Sequence, residues 1–185
     1  MTVVEQMSAP GIAAALNPLV ARAGSREEAT LISATVPVSP VDPIALHGLA
    51  RPLGASLWMQ PDAGLAFVGI GEAWAARQSH EARFQIISVA WQMLLDSALV
   101  DRGDVPREAG PLLLGGFGFD EEPIESETWA GFEAGCMTLP ALLLATTPAG
   151  SGLSASMGLE PDGVPPGPMV QSVDQTWAFL SEAPV

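Results

Sequence analysis

Three features of the 185-residue sequence predict an α+β fold, a two-layer α/β arrangement built mainly on antiparallel strands. Residues 29–38 are rich in β-branched side chains and alternate with period two. Two further pairs of strand-like runs, 56–60 with 65–70 and 136–146 with 153–157, are each joined by a short reversal containing Pro and Gly. Between the pairs, Phe84, Ile87, Trp91, Leu94, Leu95 and Ala98 recur on one side of a helical wheel and define a long helix that packs on the sheet.

The elements follow in chain order. The apolar stretch 12–21 is interrupted by Pro18 and reads as a short helix or a loose arm. In 29–38, alternation places Leu31, Ser33 and Thr35 on one face of a strand and Ile32, Ala34 and Val36 on the other. Asp42 followed by Pro43 is an N-cap and first-turn pair, opening a short helix that stops before Pro52. Pro61-Asp62-Ala63-Gly64 closes the first hairpin. Ser79 precedes the long helix, which ends near Val100 before a polar turn around Gly103. Residues 112–119 read as a strand carrying two adjacent glycines, and Pro140 puts a break or an edge position into 136–146. The Pro- and Gly-dense stretch 161–168 reads as irregular, followed by a short helical pattern with Val173, Trp177 and Leu180. No internal repeat is present.

Composition narrows the function classes. The formal charge of -14 repels phosphate backbones and anionic membrane surfaces, and the seven arginines are scattered from Arg22 to Arg107 with no pair set as a carboxylate clamp. Charged residues make up 15% of the chain, against roughly 25% in an average soluble domain, and mean hydropathy is +0.31, so apolar surface is in excess. The single cysteine, Cys136, excludes an internal disulfide and any multi-cysteine metal site. The start lacks the basic region of a signal peptide, and no apolar run reaches the roughly 20 residues of a membrane span, so the expected location is the cytoplasm.

Each motif with chemical potential has a structural counter-reading. Gly69-Ile70-Gly71 begins like a dinucleotide fingerprint, but Trp74 stands where the third glycine belongs. Leu114-Gly115-Gly116-Phe117-Gly118-Phe119-Asp120 lacks the lysine and hydroxyl of a phosphate loop and runs into Asp120, Glu121 and Glu122, so its glycines are read as close backbone packing. His47 and His80 have no nucleophile at a recognisable spacing and read as structural or surface residues. Glu121, Glu122, Glu125 and Glu127 form an acidic cluster without the order of a calcium loop and read as a solvated loop. Trp58, Trp74, Trp91, Trp129 and Trp177 are not interleaved with basic residues, as base stacking requires, and Cys136 lies in an apolar segment without neighbouring cations. No catalytic, cofactor-binding or metal-binding residue is assigned.

Taken together and in order, four stretches resemble the amino-terminal region of isochorismate synthases, members of the chorismate-utilising enzymes. They are Asp42-Pro43-Ile44; Trp58-Met59-Gln60-Pro61 through Ala66-Phe67-Val68-Gly69-Ile70-Gly71-Glu72-Ala73; Leu114 to Asp120; and Trp129-Ala130-Gly131-Phe132 leading to Leu139-Pro140. The resemblance implies an enzyme that moves a hydroxyl on chorismate with Mg2+, a lysine activating water and a glutamate protonating the departing hydroxyl. In the family those residues, the magnesium carboxylates and the substrate contacts lie in the carboxy-terminal half, and the general base belongs to a Lys-Val-Val-Leu-Ala-Arg segment that has no counterpart here. This sequence contains no lysine.

The resemblance therefore implies an arm at 1–27, an α+β amino-terminal subdomain at 28–158, and at 159–185 a linker with the start of a helix toward a missing catalytic half. Chorismate would be bound through that half, against which this portion packs, in menaquinone, siderophore or salicylate biosynthesis. Salicylate-, anthranilate- and aminodeoxychorismate-forming relatives are alternatives, although the Leu-Leu-Glu-Ser type segment that binds tryptophan in the latter two has no counterpart. A stand-alone acidic, non-catalytic interaction domain is the alternative outside enzymes.

Overall fold

The β-branched run forms β1 (Thr30–Val38) in the computed structural model, which describes residues 11–79, 81–119, 134–161 and 166–182. The alternation read from the sequence is realised: Ile32, Ala34 and Val36 enter the main core, and Ser33 and Thr35 point to the opposite face. β2 (Ala55–Gln60) and β3 (Leu65–Ile70) form the first hairpin, closed by a 3-10 turn at Pro61–Ala63 in which Gly64 takes a φ of 64°. β8 (Leu142–Thr147) and β9 (Gly150–Leu159) form the second. β1 and β9 pair antiparallel along their whole length, from Thr30 opposite Leu159 to Val38 opposite Ser151. The resulting six-stranded sheet has the order β2-β3-β8-β9-β1-β5.

Three helices share one core with this sheet. α1 (Ile12–Ala23) runs through Pro18, because Ile12, Leu16, Leu19 and Ala23 lie on one buried face while Pro18 is exposed. Burial along that face offsets the loss of one helical hydrogen bond, whose cost is about 3 kcal/mol. α2 (Pro43–Ala50) starts as expected: the Asp42 carboxylate accepts from the Ile44 N–H at 2.9 Å and the Ala45 N–H at 3.3 Å. α4 (Pro166–Glu182) is longer than the short helix expected, since Pro166 and Pro168 fall in its first turn, where no N–H donor is needed. Its Val170, Val173, Trp177 and Leu180 join the α1 face over β1, β8 and β9, so α1 and α4 lie on the same core.

The long helix is α3 (Arg83–Ser97), and here the structure corrects several expectations. Its cap residue is Ala82, without a side-chain cap, so Ser79 does not start it. Ile87 is buried and Trp91, Leu94 and Leu95 are half-buried, but Phe84 is exposed. The helix stops at Ser97, and residues 99–101 form β5 (Leu99–Asp101), which pairs parallel with β1 at the sheet edge. The expected 136–146 strand is two strands: β7 (Gly135–Leu139) belongs to a separate three-stranded sheet, and Pro140 marks where the chain crosses to β8. That second sheet has the order β4-β7-β6, with β4 (Trp74–Arg77), which the sequence reading did not anticipate, and β6 (Leu114–Phe117), shorter than expected. α3 packs against β1, β4 and β7, with Trp91 against Trp74 at a centroid distance of 6.2 Å and Phe84 against Phe117 at 4.3 Å.

Candidate functional site

The glycine motifs are packing devices. β3 runs through Gly69 into a turn at Gly71 (φ 66°) and then into strand β4 at Trp74, so no helix N-terminus follows to receive a pyrophosphate. A methyl on Gly69 would lie 2.6 Å from the Pro140 ring and 2.8 Å from Leu114, which closes that side of the strand to a ligand. In β6 a methyl on Gly115 would lie 2.0 Å from the carbonyl oxygen of Cys136 on β7. The glycine is there so that two backbones can approach.

The remaining flagged residues are dispersed. His47 sits in the last turn of α2 and Cys136 is half-buried on β7. Trp58 packs on Phe67 across β2 and β3 at 5.6 Å, Trp74 packs on Trp91, and Trp177 is in the main core. His80, Asp120, Trp129 and the glutamates 121, 122, 125 and 127 lie outside the described residues. Among the described residues, no three His, Cys, Asp or Glu side chains gather as a metal site. Among them too, no helix is long and apolar enough to cross a membrane.

Two arginines do structural work that the sequence did not reveal. Arg83 is buried at the start of α3 and donates to the Gly118 carbonyl at 3.0 Å, fastening the helix to the end of β6. Arg102 donates to the carbonyls of Arg107 and Ala109, drawing in the loop whose Ala109 packs with Phe67, Leu143 and Ala145. Arg83 reaches a carbonyl distant in sequence, whereas Arg102 closes a local loop.

A groove of about 410 Å³ opens between the β3–β4 turn, the end of β9 and the start of α4. Its lining includes Glu72, Ser156, Glu160, Met169 and Ser172 and carries no cation. Arg77, the nearest cation in sequence, is ion-paired with Glu72 at 2.6 Å. Such a wall offers a carboxylate ligand no counter-charge.

The comparisons with known proteins give the chain its place. The family model described as chorismate binding enzyme matches residues 18–182. The chain is 31% identical over 115 residues to the salicylate biosynthesis isochorismate synthase of Pseudomonas aeruginosa, an overlap of 61% of this chain and 23% of that protein. With the isochorismate synthase MenF of Bacillus subtilis the identity is 27% over 136 residues, 69% of this chain and 29% of the relative. The fold is similar to that of the menaquinone-specific isochorismate synthase MenF of Escherichia coli, with a TM-score of 0.51 at 16% identity, covering 90% of this chain and 33% of that one. The chain thus spans between 23% and 33% of the length of these relatives. A match along nearly the whole sequence, on a fold shared with a solved relative, shows that this chain belongs to the chorismate binding enzyme family.

Proposed function

We propose that this chain is the amino-terminal portion of an isochorismate synthase, a cytoplasmic enzyme converting chorismate to isochorismate for menaquinone, siderophore or salicylate biosynthesis. The observation that carries the reading is its combination of family membership over 18–182 with coverage of only 23% and 29% of two curated isochorismate synthases. The lysine-free sequence supports placing the family's general base elsewhere, as does the cation-free groove. In the whole enzyme Mg2+ would offset the negative charge of the substrate. The resemblance assigns its ligands to the portion not spanned here. The contribution of this chain is mechanical: a sheet and helices that hold the catalytic portion in shape.

The test is to incubate chorismate and Mg2+ with the product of the complete reading frame and, separately, with the 185-residue chain. Chromatographic separation should show isochorismate from the first and only the uncatalysed background from the second. Turnover by the 185-residue chain alone, or a complete product inert toward chorismate, would overturn the proposal.

A further inference from the structure

The outward side of α3 carries Ile86, Val89 and Met93, 38%, 54% and 68% exposed. Spacings of three and four put them on one line of the helix, separate from the inward line of Ile87, Trp91 and Leu94. The helix is therefore apolar on two sides, the pattern of an element packed from both. Charge is also missing from this side: apart from Phe84, which packs on Phe117, the rest of the exposed surface between Arg83, which is buried, and Asp96 is Gln85, Ser88 and Gln92. In a chain of net charge -14, an uncharged run of that length on an exposed helix is the opposite of what solvent selects.

Length indicates what covers it. The chain spans 23% and 29% of its curated relatives and 33% of the solved one, so most of the fold in each relative has still to be seated against this part. The other long helices leave little room, since the apolar faces of α1 and α4 are already spent on the six-stranded sheet. Resting on the proposed function, we infer that the Ile86–Val89–Met93 line is the seat of the remaining, carboxy-terminal portion of the chorismate-utilising fold. That portion is recognised by shape and apolar burial, with no salt bridge at its centre.

The experiment uses the protein expressed from its own complete reading frame, with the photo-crosslinker introduced as Met93→p-benzoylphenylalanine or Val89→p-benzoylphenylalanine. A control carries it at Gln171, exposed on α4. After irradiation and digestion, the adducts from Met93 and Val89 are expected to map to peptides of the carboxy-terminal portion, with loss of that adduct in the control. An adduct with a second copy of residues 1–185, with an unrelated protein, or none at all would overturn the inference. If Gln171 reaches the carboxy-terminal portion and α3 does not, the interface is wrong while the functional reading stands. The functional reading fails separately, by absence of isochorismate formation in the same preparations.

Discussion

Gly115 and Gly116 are neighbours in β6, yet a methyl group would meet opposite surroundings at each. At Gly115 it would collide with the Cys136 carbonyl, whereas nothing lies within 4 Å at Gly116. Gly115→Ala is therefore expected to cost about 2 kcal/mol or more through backbone displacement. Gly116→Ala should stay within about 0.5 kcal/mol, and urea denaturation of both variants distinguishes the two; equal effects would remove the packing explanation. Trp177 poses a different residue-scale problem, because its ring is buried in the main core while its indole N–H has no hydrogen-bond partner among the described residues. Deleting the ring in Trp177→Ala should cost about 3–5 kcal/mol. Trp177→Phe keeps much of the ring and removes the unsatisfied donor, a burden of about 1–3 kcal/mol, so its melting temperature is expected to lie much nearer wild type than that of the alanine variant.

Strands β1 and β9 are tied by side chains as well as by their ladder. Ser33 and Ser156, directly opposite each other and buried, share a hydrogen bond of 2.9 Å, and Thr35 and Ser154 repeat it two residues along at the same length. Removing one hydroxyl strands its buried partner, so Ser33→Ala and Ser156→Ala should each cost about 1–3 kcal/mol. The double variant should cost less than their sum, and a double-mutant cycle by chemical denaturation reads the coupling directly. At this scale the sequence was informative wherever local chemistry settles the matter. The period-two run of β1, the Asp42-Pro43 start of α2 and both hairpin reversals are local signals, and each formed as read. What escaped was decided by tertiary partners. β4 and β5 are short and exist through pairing with β7 and β1, and the crossing at Pro140 splits one apolar run between two sheets. The exposed side of α3 was hidden because an apolar residue at helical spacing does not say which neighbour it meets. The glycine-rich stretches were legible as packing, while the buried roles of Arg83 and Arg102 depend on carbonyls that come close only in the fold.

The molecule as a whole combines strong negative charge with apolar surface left uncovered on α3. If that surface is a seat for further chain, the 185-residue chain alone should bind a hydrophobic dye. Introducing Val89→Glu together with Met93→Glu should reduce the dye signal without lowering the thermal midpoint, because both side chains already face solvent. Unchanged dye binding would place the uncovered surface elsewhere. The coding sequence beyond Val185 decides whether this chain is one portion of an isochorismate synthase. The frame is expected to continue into a lysine-bearing segment and glutamates suited to Mg2+. A stop codon immediately after Val185 in an intact gene would contradict it.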